Sequence, residues 1–185
     1  FSDEYTKTAF HGGSYKYYSR HLTLPNLGYK YYACGNGLNI NCKSWPQSDV
    51  ETVEDSLKHF IKKEKFVTYY MSISGHLEYN FYGNLIAKKN KSLVKDMDAS
   101  NAIKAYMATQ IEFDRSLEYL INELKKSGKL DDTVIAIMPD HYPYGLQNNE
   151  IENYAGITDT TFELYKNTFI LWNSEMKESI TVDKY

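Results

Sequence analysis

Five histidines are spread along the chain, and three of them recur at one kind of place. His11, His76 and His141 each follow, within three residues, a stretch that reads as a β-strand. In parallel α/β sheets, ligands bind beyond the carboxyl ends of the strands. If the three strands are parallel, three imidazoles converge on one edge, where they can act as acid, base or ligand. His21 and His59 lack that placement. His59 stands beside Lys58 on a helical pattern and reads as solvated.

Asp140 and His141 put a carboxylate oxygen and an imidazole nitrogen on adjacent residues, a pair able to face one divalent ion. A regular strand sends neighbours to opposite faces, so Pro139 must already have ended it. Mixed oxygen and nitrogen ligation suits Mn²⁺ or Zn²⁺ better than Ca²⁺. Two ligands do not complete a site: a further carboxylate and an activated nucleophile are required. Turn residues bonded to backbone are the alternative reading of the same pair. Arg20 follows a tyrosine cluster at positions 15, 17 and 18. Its guanidinium fork matches phosphate or sulfate, although an arginine beside tyrosines is also a common stacked surface residue.

The elements that must carry these groups alternate in type. Residues 6–10 read as a strand broken by Gly12 and Gly13. Residues 14–47 are aromatic and loop-rich, punctuated by Pro25 and Pro46. Ser48 or Asp49 then caps a helix with Val50, Val53, Leu57, Phe60 and Ile61 at helical spacing. Residues 66–73 form a β-branched and aromatic strand, and 87–98 a lysine-rich polar stretch. A long helix is expected from about Ser100 to Lys126, with Gly128 at its left-handed cap. Residues 133–138 are apolar on both faces, which predicts a buried, parallel strand. A short helical pattern near 160–165 precedes a strand at 168–172. Strands alternating with crossover-length helices predict an α/β sheet, mostly parallel, with helices on both faces.

Composition narrows the function classes. The 185 residues carry 21 basic and 24 acidic side chains, a net charge of −3, which argues against nucleic acid as a partner. Hydrophobic content of 42% and charged content of 24% are those of a folded domain. No apolar run reaches the ~20 residues of a membrane helix. Cys34 and Cys42 enclose a polar loop; a disulfide there fits an extracellular setting, and two free thiols fit the spacing equally. Eighteen tyrosines suit half-wet surfaces and polyol-binding clefts, or serve as β-forming core filler. A start at Phe1 rather than Met reads as part of something longer.

Several segments together resemble a known family. Phe10-His11, Tyr18-Ser19-Arg20, Pro25-Asn26-Leu27-Gly28-Tyr29, Ser74-Gly75-His76 and Pro139-Asp140-His141-Tyr142-Pro143-Tyr144-Gly145-Leu146 occur in the order seen in lipoteichoic acid synthases. Those enzymes belong to the sulfatase-like branch of the alkaline phosphatase superfamily. The resemblance implies an extracellular phosphoglycerol transferase that takes glycerol phosphate from phosphatidylglycerol and passes it to a polymer or glycolipid through a threonine nucleophile. It implies a divalent metal, usually Mn²⁺ with Zn²⁺ or Mg²⁺ as alternatives, held by Asp140 and His141. His11, Tyr18, Arg20 and His76 would contact the glycerol-phosphate group, with His76 also the proton-transfer candidate. Tyr18 stands where the synthases often have tryptophan.

In that family the nucleophile and another metal carboxylate precede the strand leading to His11. Residues 1–185 are therefore expected to be one partial domain lacking its N-terminal half, inactive alone, whose parent is held at the membrane by segments outside this chain. The same Asp–His pair also serves sulfate ester hydrolases and phosphoethanolamine transferases, and a non-catalytic binding domain would keep the fold without the chemistry.

Overall fold

A computed structural model describes residues 2–159 and 161–182. Alternation along its first strand explains the architecture. In β1 (Thr6–Ser14), Ala9 and Phe10 are both fully buried, on opposite faces. Ala9 packs with Tyr31 and Ala33 of β2 (Lys30–Cys34) and Leu24 of α1 (Arg20–Asn26). Phe10 packs with Tyr32, with Val53 of α2 (Asp49–Ser56), and with Leu120 and Leu124 of α4 (Asn101–Lys126). Helices thus cover both faces.

Sheet order is β3-β2-β1-β4, where β3 is Gly37–Leu38 and β4 is Phe66–Met71. Every pairing in it is parallel. His11 lies opposite Ala33 and Met71, at the carboxyl edge of the sheet. The helices start where small polar residues cap them. Ser48 accepts the Glu51 N–H at 3.1 Å and Ser100 the Ile103 N–H at 3.2 Å. The long helix closes at Gly128, whose φ is +68°.

Four expectations are corrected. First, β1 does not stop at its glycines. It runs through Gly12 and Gly13 with a register shift between His11 and Ser14. A Cβ on Gly13 would lie 2.6 Å from His11 Nε2 and 2.7 Å from Ile73 Cδ1. The residue is small because the His11 ring and Ile73 fill its space. Gly13→Ala is expected to cost about 1–3 kcal/mol through overpacking, read as a lowered urea midpoint, and to displace the His11 ring.

Second, residues 14–47 and 87–98 hold more regular structure than their polarity suggests: α1, β2 and β3 in the former, and much of α3 (Leu85–Asn90) in the latter. Asn84 caps α3 by accepting the Ala87 N–H at 2.8 Å. Ala87 and Val94 are buried against Ala105 and Ala108 of α4. The surrounding lysines mask this small apolar face.

Third, residues 133–138 are not a buried parallel strand. Only β5 (Ile135–Ile137) is extended, and it pairs antiparallel with β6 (Ile170–Trp172), apart from the four-stranded sheet among the described residues. Val134 and Met138 are 62% and 70% exposed. Apolarity on two faces states what a strand can bury, while its neighbours decide what it does bury. Between β5 and β6, α5 (Asn148–Ala155) is an unanticipated helix with a Gln147–Glu150 capping box. The pattern near 160–165 is a 3₁₀ turn, Glu163–Tyr165, and Thr160 lies outside the described residues.

Fourth, His59 is half-buried rather than solvated. It ends the 3₁₀ turn Leu57–His59, with its ring 3.9 Å from that of Tyr32 and 5.8 Å from that of Phe10. Burial, followed by the charge of Lys58, lowers its pKa.

Cys34 and Cys42 are joined as a disulfide with their Cα atoms 5.7 Å apart. Closing so short a loop constrains the unfolded chain by about 2.5 kcal/mol in the chain-entropy picture. The double serine variant is expected to lose that much in equilibrium denaturation. No helix among the described residues is long and apolar enough to cross a membrane.

Candidate functional site

His11 shares a face of β1 with Ala9 and is 3% exposed. Its Nδ1–H donates to the Met71 carbonyl at 3.0 Å on the neighbouring strand. That bond fixes the tautomer, so Nε2 carries the lone pair. Nε2 is buried and has no hydrogen-bond partner among the described residues. Burial above all, then the positive charge of Arg20, holds the His11 pKa down to about 4, against a partial upward effect of the Met71 bond. At neutral pH the ring is an uncharged acceptor.

His76 sits in the turn after β4, where its N–H donates to the Ile73 carbonyl at 2.9 Å. Its Nε2 lies 3.3 Å from the Tyr17 hydroxyl, and Trp45 meets its ring edge-on with ring centroids 5.2 Å apart. Tyr17 also stacks on His11, ring centroids 5.8 Å apart. One phenol therefore joins two imidazoles from two adjacent strands.

Tyr18 and Ser19 follow with φ of 49° and 56°. Two successive non-glycine residues in the left-handed region are unfavourable, and such backbone gathers where function requires a special geometry. Here it turns the chain into α1, so that Arg20 faces back over the tyrosines. The guanidinium carbon lies 5.6 Å from the Tyr17 ring centroid and 5.5 Å from that of Tyr18. Arg20 Nη1 is buried with no hydrogen-bond partner among the described residues. A buried cationic donor without an acceptor calls for an anion.

A cleft of about 360 Å³ opens beside His76, walled in part by Ser72, Tyr79, Gln110, Asp140 and His141. The last two come from the loop after β5. His141 Nδ1–H donates to the Tyr142 carbonyl at 2.8 Å, leaving the Nε2 lone pair 3.6 Å from Asp140 Oδ1. The Tyr144 ring packs 4.7 Å from the His141 ring. A carboxylate and an imidazole with its second nitrogen tied to backbone form a fitting donor pair for a divalent cation. Among the described residues no group of three or more His, Cys, Asp or Glu completes a metal set.

A cleft lined by His76, Asp140 and His141, with a partnerless arginine joined to His76 through Tyr17, describes a site for an anionic ester. The sequence pattern of the Sulfatase family matches residues 2–185. The chain belongs to the sulfatase family. Among curated relatives, this sulfatase-family chain is 27% identical over 187 residues to lipoteichoic acid synthase of Staphylococcus saprophyticus, covering 97% of this chain and 28% of that protein. It is 24% identical over 148 residues to lipoteichoic acid synthase 1 of Bacillus subtilis, covering 74% of this chain and 21% of that protein.

Among solved structures, the lipoteichoic acid synthase LtaP of Listeria monocytogenes matches with a TM-score of 0.70 at 22% identity, over 95% of this chain and 45% of that one. The Streptococcus pyogenes phosphoglycerol transferase GacH, in complex with sn-glycerol-1-phosphate, matches at 0.60 and 15% identity, over 92% and 44%. These likenesses show the fold, a mostly parallel sheet flanked by helices, and the Sulfatase match sets it in the sulfatase-like branch of the alkaline phosphatase superfamily. The chain spans less than a third of the length of these two curated relatives.

Of the residues expected from the sequence, His76, Asp140 and His141 line one cleft. His11 and Arg20 join them through Tyr17. Tyr18, expected to contact ligand, is 73% exposed and meets Tyr17 edge-on at 4.4 Å. Tyr17, not Tyr18, bridges the histidines. Trp45 and Gln110 carry no signal in the sequence, because neither lies in a strand-end motif and only the folded chain brings them to His76 or the cleft.

Proposed function

We propose that the chain supplies the substrate-facing portion of a metal-dependent phosphoglycerol transferase acting at the extracellular face of the cell membrane. The polypeptide that contains it would move glycerol phosphate from phosphatidylglycerol to a polymer or glycolipid acceptor through a threonine outside this chain. The observation carrying this reading is the Arg20 guanidinium, stacked on Tyr17 and Tyr18 with Nη1 buried and unsatisfied, beside the His76 cleft. The names of the similar proteins, lipoteichoic acid synthases and a phosphoglycerol transferase, point the same way. A Cys34–Cys42 disulfide fits an oxidising location.

Each group has a definite task. Arg20 binds and orients phosphate oxygens by charge-assisted hydrogen bonds. Tyr17 donates its hydroxyl hydrogen to His76 Nε2 at 3.3 Å, orienting the ring until the glycerol or acceptor oxygen takes that place for proton exchange. His11, neutral and acceptor-only at Nε2, is suited to a glycerol hydroxyl rather than to the phosphate. Asp140 Oδ1 and His141 Nε2 would hold the divalent ion, Mn²⁺ or alternatively Zn²⁺ or Mg²⁺. When bound, that ion offsets phosphate charge and lowers the pKa of a coordinated hydroxyl.

The test is release of diacylglycerol from vesicles of phosphatidylglycerol. The longer polypeptide with Mn²⁺ is expected to turn over and to stop on chelation, while residues 1–185 alone release none. Release by residues 1–185 alone, or chelator-insensitive release by the longer polypeptide, would overturn the proposal.

A further inference from the structure

The turn that carries His76 is held by a residue with no place among the substrate-facing groups. Asp49 opens α2 and is 4% exposed. Its Oδ1 accepts the Ile73 N–H at 2.8 Å, and its Oδ2 accepts the Ser74 N–H at 3.1 Å together with the Ser74 hydroxyl. The carboxylate is not needed to cap α2, since Ser48 already accepts the Glu51 N–H. Both of its oxygens are directed at the two residues where the chain leaves β4 for His76.

The far end of the turn is fixed as well. Asn84, fully buried, donates to the His76 carbonyl at 3.1 Å while accepting the Ala87 N–H at 2.8 Å. Behind Asp49, Ser48 donates to the buried Glu112 at 2.5 Å, and Lys89 reaches the same carboxylate at 3.0 Å. Helices α2, α3 and α4 are thereby tied to one another around the turn. Burying a carboxylate is costly unless its acceptors are filled, and here the filling donors are the backbone that aims an imidazole.

We infer that Asp49 is a positioning residue for His76: its carboxylate clamps the Ile73 and Ser74 amides so that the ring meets Tyr17 and faces the cleft, with Asn84 holding the other end. The inference rests on the reading that His76 handles the phosphoglycerol group. A supporting residue that sets geometry acts on turnover, because a misplacement near 1 Å costs roughly 100-fold.

Asp49→Asn keeps the volume but turns one oxygen into a donor facing an N–H. Ser74→Ala removes only the hydroxyl and leaves both amide bonds. In the longer polypeptide, D49N is expected to lose ~10- to 100-fold in kcat with KM within about threefold and an unchanged circular-dichroism spectrum. S74A should keep kcat within about threefold. Amide exchange at Ser74 should quicken at least ~10-fold in D49N, with β1 amides unchanged, and the Tyr17–His76 ring contact seen by NMR should weaken.

Unchanged Ser74 exchange in D49N, or quickened exchange with kcat intact, would overturn the inference. If the unaltered polypeptide shows no transfer at all, that failure belongs to the functional reading. Exchange and the ring contact then decide: their loss in D49N supports the clamp, and their persistence refutes it.

Discussion

His76→Ala in the polypeptide containing this chain is expected to lower kcat for diacylglycerol release by ~10²- to 10⁴-fold, the range for removing a positioned acid–base group. The imidazole is the meeting point of the geometry: Nε2 receives the Tyr17 hydroxyl at 3.3 Å, and the ring lines the cleft that Asp140 and His141 also line. Removing it leaves Arg20 in place, so KM should move much less than kcat. Arg20→Ala should show the reverse emphasis. A charge-assisted hydrogen bond is worth roughly 1.5–3 kcal/mol, which predicts about 10- to 100-fold weaker binding of glycerol phosphate. Arg20→Lys keeps the charge but loses the fork, and should recover only part of that affinity. Steady-state kinetics with varied substrate separate the two variants. Equal loss of kcat and KM effects in both would mean the groups do not divide the work in this way.

The other large effect is on stability against pH, where two buried groups act in opposite senses. His11 is shifted down from 6.5 to about 4, chiefly by burial. The folded state binds its proton less tightly than the unfolded state. Its contribution is complete above pH ~6.5 and lost as pH falls toward ~4, roughly 3 kcal/mol in all. Asp49 is shifted up from 3.8 to about 6, again chiefly by burial, with the Ser74 and Ile73 hydrogen bonds opposing the shift. Its proton is held more tightly when folded, so its contribution is greatest below pH ~3.8 and lost as pH rises through ~6, also roughly 3 kcal/mol.

Across that window the two nearly offset. The difference in unfolding free energy between D49N and the unaltered chain cancels every other titrating group. It should therefore grow in favour of D49N by roughly 2 kcal/mol between pH 4 and 6.5. His11→Asn should give the opposite slope. Urea denaturation at intervals of pH measures both. A difference that does not vary with pH in either variant would contradict these assignments.

Much of this was legible before the fold was known, for reasons that differ by element. The long helix announced itself through a sustained 3.6-residue pattern bounded by Ser100 and Gly128. The parallel sheet with helices on both faces followed from alternating strands and crossover-length helices, and His76 and the Asp140–His141 pair were visible as strand-end motifs. What misled was composition read without neighbours. Gly12 and Gly13 read as a break, whereas Gly13 makes room for the His11 ring. The apolar run at 133–138 promised burial that β6 alone does not provide. Tyr17 and Tyr18 are indistinguishable in sequence, and only the left-handed backbone at Tyr18 decides which ring turns toward the histidines. Asp49 passed as a helix-start residue because its partners, Ile73 and Ser74, lie on another element.

The most direct measurement is a crystal structure of the longer polypeptide soaked with sn-glycerol-1-phosphate. The phosphate should sit within hydrogen-bonding reach, about 3 Å, of Arg20 Nη1, with a glycerol oxygen toward His76 and with Asp140 and His141 on the adjoining wall. Density for the ligand elsewhere, with Arg20 Nη1 still unsatisfied, would contradict the assignment of this cleft.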